Sequence, residues 1–280
     1  MLALWILGLW LLVLVSSAPS PTPNLVPAGL PTTELGALGA IYDATAGKRW
    51  KYDRAGAKWS FASSSENQTN PCLSRWVGVR CNSKKSSVIA LDVNSWGLVG
   101  TLPDKLGALT ALTYLDASDN SLSGTLPAGL FLLTMLRFCQ IDSGQLEGSL
   151  PADIGQLKAL SYLSLYDNKF EGTLSPAIGQ LKALTVLSLE SNSLSGSLPV
   201  ALFELTALQV LGLASNMFEG TLSPAIGQLK ALTVLSLESN SLSGSLPVAL
   251  FEPTALQVLG LASNMFKGTL SHLESTESHF

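Results

Sequence analysis

Few residues in this 280-residue chain have types and spacing that could support catalysis. Its two histidines, His272 and His279, both lie in the last nine residues, so earlier segments cannot build a histidine-based triad or zinc site. No common nucleophile, metalloprotease, dinucleotide or phosphate-loop motif occurs. The sequence therefore predicts a protein that is not an enzyme and that uses no metal or cofactor.

Carboxylates are the remaining candidates for chemistry. Asp116 and Asp119 could be imagined as an acid and a base, but both fall on the open face of a predicted strand. We therefore expect solvated surface charges at these positions. The formal net charge of −4 and the lack of a basic cluster also argue against a nucleic-acid-binding surface.

The outward positions of successive predicted strands differ between the two halves of the chain. Those of the first half are aromatic and acidic without any Lys or Arg, and those of the second half are small. Aromatic anchors beside unpaired acceptors suit binding, and the acidic sign favours a basic peptide or protein segment over an anionic glycan. The candidate binding residues are Asp92, Asn94, Tyr114, Asp116, Asp119, Phe138, Gln140, Asp142, Tyr162, Tyr166 and Asp167. Alternatively, Tyr and Phe occur there only because they are good strand residues.

These positions belong to a repeat of 24 residues that begins near Val88. In one unit Leu187 and Leu189 alternate with Ser188 and Glu190, which is the period of two of a short strand. One unit cannot bury its leucines alone, so we expect a solenoid of about seven to eight coils with parallel strands. The units begin at Leu109, Leu133, Leu157, Leu181, Leu205, Leu229 and Pro253.

Two further features mark the repeat. A column of asparagines follows the predicted strands, where the amides can satisfy backbone groups at each turn. Residues 170–217 recur as residues 218–265 with one difference, Leu205 against Pro253, which indicates a tandem duplication of two units. The asparagine column is Asn120, Asn168, Asn192, Asn216, Asn240 and Asn264.

The N-terminal end predicts secretion. The apolar run 2–15 is too short to span a bilayer and is followed by small residues, so residues 1–18 are interpreted as a cleaved signal peptide, with an uncleaved anchor as the alternative. Residues 19–32 are a Pro-rich linker, and no later stretch is a second membrane segment. We expect a secreted or extracellular protein.

Residues 33–87 have the composition of a cap for the first coil, followed by the repeat array 88–270 and a polar tail 271–280. Leu35, Leu38 and Tyr42 recur at helical spacing and predict an amphipathic helix. Large aromatics this frequent are more often core than binding platform. The tryptophans concerned are Trp50, Trp59, Trp76 and Trp96.

The cysteines divide into a pair and a single residue. Cys72 and Cys81 lie nine apart, and in a secreted chain they are interpreted as a disulfide. Cys139 occupies a buried leucine position and predicts a reduced core thiol. Asn67 begins the sequon Asn67-Gln68-Thr69, which predicts glycosylation on a eukaryotic secretory route.

The pattern L-x-x-L-x-x-L-x-L-x-x-N-x-L-x-G-x-L-P-x-x-L resembles the plant-type leucine-rich repeat over residues 88–270, and P-C-x-x-x-W-x-G-V-x-C resembles that family's N-terminal cap. The resemblance implies an α/β solenoid, a right-handed superhelix with short parallel strands on its concave face and a helical, disulfide-linked cap. It also implies non-catalytic recognition of a peptide, a protein or cell-wall carbohydrate on that face, by a receptor ectodomain or a soluble inhibitor of wall-degrading enzymes.

Two other functions remain open. One is a structural surface or matrix protein, and the other is a truncated ectodomain of a receptor-like protein at the cell surface. The last coil has no cysteine pair to cap it, so either the polar tail or another chain covers it. Self-association through this uncapped coil is therefore possible, and the apolar residues concerned are Leu259, Leu261, Phe266 and Leu270.

Overall fold

The computed structural model describes residues 30–52, 54–61, 70–252 and 255–268. The predicted signal peptide, nearly all of the linker, Asn67 and the polar tail lie outside the described residues, so they stay predictions.

The described chain folds into two short α-helices followed by a series of coils. Each coil contributes one strand to each of two sheets. The helices are α1 Thr32–Ala44 and α2 Pro71–Ser74. The strands are β1 Val79–Cys81, β2 Val88–Asp92, β3 Val99–Gly100, β4 Tyr114–Asp116, β5 Ser121–Gly124, β6 Phe138–Gln140, β7 Gln145–Gly148, β8 Tyr162–Ser164, β9 Lys169–Thr173, β10 Val186–Ser188, β11 Ser193–Ser197, β12 Val210–Gly212, β13 Met217–Thr221, β14 Val234–Ser236, β15 Ser241–Ser245, β16 Val258–Gly260 and β17 Met265–Lys267.

Short 3₁₀ helices connect the returning strand of each coil to the strand that begins the next coil. They occur where Pro or Ser begins a tight turn after the returning strand and where only one turn of helix is needed before the next strand. Their bounds are Asp104–Ala108, Ala128–Leu132, Ala152–Gln156, Pro176–Gln180, Val200–Glu204, Pro224–Gln228 and Val248–Phe251, with another in the cap at Gly47–Arg49.

A nine-stranded sheet has the order β1-β2-β4-β6-β8-β10-β12-β14-β16. Apart from the antiparallel pair of β1 and β2, its strands are parallel and in register, so Leu115, Cys139, Leu163 and Leu187 lie in one column. The parallel strands predicted from the alternating leucines are confirmed.

The returning strands form a second, eight-stranded sheet in the order β17-β15-β13-β11-β9-β7-β5-β3. The alternation of leucines predicted only the strands of the first sheet, and this second sheet was not predicted. Each strand from β5 to β15 in this sheet buries a single apolar residue, such as Leu194 in β11, before a glycine of positive φ, which for Gly196 is 73°. Such a short pattern carries no detectable alternation, so it could not be recognised as a strand.

The leucine lattice forms one continuous core between the sheets. Leu184, Leu187, Leu189, Leu194 and Leu202 of a single coil are all fully buried. Because each coil buries its leucines against the next one, the coils hold together through nearest-neighbour contacts.

The asparagine side chains satisfy backbone groups at the turns, as predicted, and in doing so they also join neighbouring coils. Asn168 illustrates it: its amide nitrogen donates to the carbonyl oxygens of Ile141 and Leu165, and its Oδ1 accepts from the backbone nitrogen of Leu146 at 2.9 Å. Gly144 occupies this column in the coil before it. Each asparagine therefore provides hydrogen-bond partners for backbone groups that the turn would otherwise leave unpaired.

The N-terminal segment covers the first coil. Helix α1 packs against the turn Asp104–Ala108, and the buried Glu34 accepts a hydrogen bond from the backbone nitrogen of Val88 at 2.7 Å. All four tryptophans are buried, as predicted, and the indole nitrogens of Trp50 and Trp59 donate to the carbonyl oxygens of Thr45 and Val77.

The cysteines have the predicted states. Cys72 and Cys81 form a disulfide with their Cα atoms 5.6 Å apart, which ties α2 to the last residue of β1. Cys139 is a free, fully buried thiol, and its burial together with the nearby Asp116 raises its pKa to about 12.

The last described coil is less well covered than the others. Leu259 and Leu261 are half-buried, whereas the duplicated residues Leu211 and Leu213 are fully buried. In the described part of the chain, no helix is long and apolar enough to cross a membrane.

Candidate functional site

The open face of the nine-stranded sheet carries two columns of strand side chains, and each strand contributes one residue to each column. The first column begins with Ala90, continues with three aromatic residues and ends with valines. Alternation along each strand places this column and the next one, two residues later, on the same side of the sheet. In register, the first column reads Ala90, Tyr114, Phe138, Tyr162, Val186, Val210, Val234 and Val258.

The three aromatic rings form a stacked ladder. The ring centroids of Tyr114 and Phe138 are 4.5 Å apart with planes at 7°, and those of Phe138 and Tyr162 are 4.4 Å apart at 12°. All three rings are half-buried, so the ladder presents mainly ring edges to solvent. We call these three residues the aromatic ladder.

The acidic groups beside the ladder are more enclosed than the sequence suggested. Asp116 is only 6% exposed, and its carboxylate accepts hydrogen bonds from the Ser118 hydroxyl at 2.7 Å and the Asn94 amide at 3.0 Å. The expectation of a solvated charge is therefore wrong for Asp116, because neighbouring coils surround it. Asp119 is exposed, as expected.

A basic residue from the cap reaches the open face. Arg54 forms an ion pair with Asp92, and its other terminal nitrogen lies 3.4 Å from Oδ1 of Asn94. The prediction that the acidic groups of the first half have no basic partner is therefore wrong for Asp92. Arg54 lies outside the repeat and 38 residues from Asp92, so no pattern in the sequence indicated this contact.

Asp142 is the second enclosed carboxylate. Its Oδ2 accepts from the Gln140 amide at 2.8 Å and from the Ser164 hydroxyl at 2.9 Å. Burial raises the pKa of Asp142, while these two hydrogen bonds lower it and the charges of Asp119 and Asp116 raise it further.

The ladder tyrosines respond to the same environment. Burial, followed by the negative charges of Asp116 and Asp92, raises the pKa of Tyr114 to about 12. The pKa of Tyr162 is raised by burial and then by the charge of Asp142. Both phenols are therefore neutral hydrogen-bonding groups at physiological pH.

Tyr166 and two exposed acids form the outer rim of this surface. Tyr166 is 41% exposed. Asp119 and Asp167 have φ of 53° and 52°, at a turn position that is left-handed in every coil from the one containing Ser95 onward. The turn points these short side chains outward, where they remain accessible to a ligand.

The second half of the open face has small groups and two half-buried glutamates. The carboxylate of Glu190 lies over Gly212 of the next strand and accepts from the Ser188 hydroxyl. The duplicated Glu238 lies over Gly260 in the same way and accepts from Ser236 at 2.6 Å. These glutamates were not among the predicted site residues, because the missing side chain of the following glycine makes room for them only in the folded coil.

A cavity of about 400 Å³ lies at the N-terminal end of the ladder. It is lined by Arg54, Gly78, Val79, Arg80, Ala90, Asp92 and Tyr114. Among the described residues, no group of three or more His, Cys, Asp or Glu side chains could hold a metal ion. The in-register strands align the predicted residues of the first four coils on one face of the sheet, where Asp116 and Asp142 are enclosed and the others are partly or fully exposed.

The fold and its disulfide-linked N-terminal region define the class: this chain is a leucine-rich repeat protein that resembles plant leucine-rich repeat receptor ectodomains. The Leucine Rich Repeat family model matches residues 111–133, 159–181, 183–205 and 231–252. This ectodomain fold is typically non-catalytic.

Several solved structures share the fold. The ectodomain of the plant membrane receptor kinase GASSHO1/SCHENGEN3 from Arabidopsis thaliana, in complex with CASPARIAN STRIP INTEGRITY FACTOR 2, is 37% identical with a TM-score of 0.64, over 66% of this chain and 22% of that one. The PEPR1–AtPEP1 complex is 28% identical with a TM-score of 0.74, over 84% and 32%. The ectodomain of the Arabidopsis receptor kinase HAESA, bound to an IDA peptide hormone, is 25% identical with a TM-score of 0.63, over 84% and 42%.

The chain thus spans less than half the length of each of these receptors. No curated protein matches it significantly.

Proposed function

We propose that this chain is an extracellular, non-catalytic recognition module that binds a peptide segment across the open face of its first four coils. The observation that carries the proposal is the aromatic ladder, a rigid apolar stripe of three stacked rings flanked by hydrogen-bonding carboxylates. Rigid aromatic anchors supply contact area at low entropic cost, and they are typical of binding hot spots.

The way the rings pack favours a peptide over a glycan. Stacking covers both faces of Phe138 and one face each of Tyr114 and Tyr162. Sugar rings pack against free aromatic faces, whereas extended peptides also use ring edges and polar groups between them. The exposed carboxylates of Asp119 and Asp167 are acceptors for such polar contacts.

The rim supports a basic peptide segment. Asp119 and Asp167 are exposed at the turns, and no Lys or Arg lies among the open-face positions of these four coils. Charges on a rim steer association and specificity more than they add affinity. We therefore place Lys or Arg side chains of the ligand near Asp119 and Asp167.

The solved relatives support an extracellular setting. The HAESA ectodomain is bound to a peptide hormone, and GASSHO1/SCHENGEN3 is a membrane receptor kinase. By extension from these proteins we propose that the present chain acts outside the cell, either as a secreted protein or as part of a cell-surface receptor.

The test is selection from a peptide library displayed on phage, with the purified chain immobilised. Peptides that bind are then measured against two variants by calorimetry. Phe138→Ala should weaken binding by about tenfold, since truncating a central aromatic anchor typically costs more than 1 kcal/mol. Val234→Ala removes apolar area from the same column outside the site and should leave affinity unchanged. Equal effects of both variants, or no selected peptide, would contradict the proposal.

A second candidate is self-association through the last described coil. Its half-buried Leu259, Leu261 and Phe266 would be covered by a second copy of the chain. Sedimentation velocity should then show a concentration-dependent dimer that Leu261→Glu disrupts. Met217→Glu, a change at an exposed interior-coil position, is the matched control. A monomer at all concentrations would rule this candidate out.

A further inference from the structure

At its N-terminal end, the column that contains the aromatic ladder has an alanine, Ala90, in place of an aromatic ring. Tyr114 pairs in register with Ala90 on β2, so the column continues into a methyl group on one side and into Phe138 on the other. The side of Tyr114 that faces the N-terminal end is therefore not covered by another ring. The cavity of about 400 Å³ lies there, with Ala90 and Tyr114 in its lining.

The spacing of the strands leaves room for one flat group in this cavity. On the far side of Ala90, the next strand presents Arg80, which is the register partner of Ala90. Adjacent strands lie about 4.8 Å apart, so Arg80 and Tyr114 are separated by about 9.6 Å across Ala90. Within the ladder, one ring per strand already stacks at 4.5 and 4.4 Å. A single planar ring above Ala90 would therefore contact Tyr114 on one face and the Arg80 side chain on the other.

The polar end of the cavity indicates what this ring should carry. The Tyr114 hydroxyl lies 3.4 Å from Oδ2 of Asp116, two residues further along the same strand. Asp92 stands two residues beyond Ala90 in the same relationship, and it lines the cavity. Its Oδ1 is buried without a hydrogen-bond partner in the described part of the chain. A phenol above Ala90 would direct its hydroxyl to Asp92 as Tyr114 directs its own to Asp116.

The charges in the cavity lining disfavour a positively charged ligand side chain. Arg54 and Arg80 both line the cavity, and Arg54 is ion-paired with Asp92. A lysine or arginine of the ligand would meet the positive charge of Arg80 beside an Asp92 that Arg54 already neutralises, whereas a neutral ring offers its negative face to Arg80. The ligand side chain that fits this cavity is therefore aromatic and neutral.

We propose that this cavity is a specificity pocket for a tyrosine side chain of the ligand, which completes the aromatic ladder above Ala90 and donates its hydroxyl to Asp92. The inference depends on the proposed peptide recognition and adds the identity of one ligand side chain. The tyrosine enters at the N-terminal end, while basic ligand residues lie towards Asp119 and Asp167.

The direct test uses N-acetyl-L-tyrosinamide as the probe, with N-acetyl-L-phenylalaninamide for comparison. Binding is followed by NMR through the ring-current shift of the Ala90 methyl group in the full chain. We expect saturable shifts for both probes, with the tyrosine probe bound about three- to tenfold more tightly because of its hydrogen bond. Equal affinities, or no shift of the Ala90 methyl group, would overturn the proposal.

Two variants localise the binding. Ala90→Tyr supplies the missing ring from the chain itself and should abolish probe binding, with the bound state now followed by the shift of the Val79 methyl groups. It should fold, since tyrosine already occupies this column at Tyr114 and Tyr162. Val234→Tyr introduces the same side chain in the same column at the far end and should leave probe binding unchanged. Should Ala90→Tyr fail to give a cooperative unfolding transition, Tyr114→Leu replaces it, with an expected loss of about tenfold.

The selected phage peptides separate the two proposals. Enrichment of tyrosine together with at least tenfold weaker binding to Ala90→Tyr supports both proposals. Peptides that depend on Phe138 but tolerate Ala90→Tyr support the recognition function and overturn the tyrosine pocket. Specific binding of N-acetyl-L-tyrosinamide without any selected peptide supports the pocket and overturns the recognition function.

Discussion

The ring of Tyr114 lies parallel to the ring of Phe138, with 4.5 Å between the ring centroids and 7° between the planes. This distance is close to the spacing of neighbouring parallel strands, about 4.8 Å, so the sheet itself sets the stacking. The two residues are 24 positions apart in the sequence, one full coil, and the repeat thus turns a sequence period into a stacked aromatic surface.

Phe138→Ala should destabilise the protein through the ladder as well as weaken ligand binding. The substitution removes two stacked pairs at once, each worth about 0.5–1.5 kcal/mol beyond its buried area. We therefore expect the free energy of unfolding to fall by about 2–4 kcal/mol in urea titrations. Val210→Ala, in the same column but without aromatic neighbours, should cost about 1 kcal/mol. Equal losses for the two variants would show that the stacking contributes nothing.

Asn168→Ala tests the asparagine column. The side chain donates to the carbonyl oxygens of Ile141 and Leu165 and accepts from the backbone nitrogen of Leu146, all within the buried interior. Leaving these groups unsatisfied should cost about 2–4 kcal/mol of unfolding free energy. The neighbouring exposed Lys169→Ala should stay within about 0.5 kcal/mol of wild type. A loss below 1 kcal/mol for Asn168→Ala would mean that water replaces the amide.

Cys139 should be unreactive in the folded protein. Burial raises its thiol pKa to about 12, and the thiolate is the reactive form. Ellman's reagent at pH 8 should therefore label no thiol in native protein and one per chain in guanidinium chloride. Cys139→Ser, with the disulfide intact, should remove that signal. Rapid labelling of the native wild type would contradict the burial of this residue.

Asp142→Asn should change the pH dependence of stability in a defined direction. Because burial raises the pKa of Asp142 in the folded state, its contribution is greatest below the ordinary aspartate value of 3.8 and is lost as the pH rises through the folded pKa. The asparagine variant keeps an acceptor for Gln140 and Ser164 but does not titrate. Its stability relative to wild type should therefore increase between pH 3 and pH 7 in urea titrations. A constant difference across that range would refute the raised pKa.

The sequence by itself determined the repeat and, through its period, the stacking of the coils and the strands of the first sheet. The 24-residue spacing predicted stacked coils, the alternation around Leu187 and Leu189 predicted the strands, and the asparagine column predicted hydrogen bonds to backbone groups at each turn. These features are periodic, so each coil repeats the information of its neighbours. The open-face residues could be chosen for the same reason.

Only the tertiary structure decided the environment of those residues. The burial of Asp116, the ion pair of Arg54 with Asp92 and the gap above Ala90 arise from contacts between coils or between the cap and the first coil. A carboxylate on a strand is solvated or enclosed according to the side chains that neighbouring strands place beside it, and a local pattern does not contain those side chains. The chemistry of the open face is therefore a property of the packed coils.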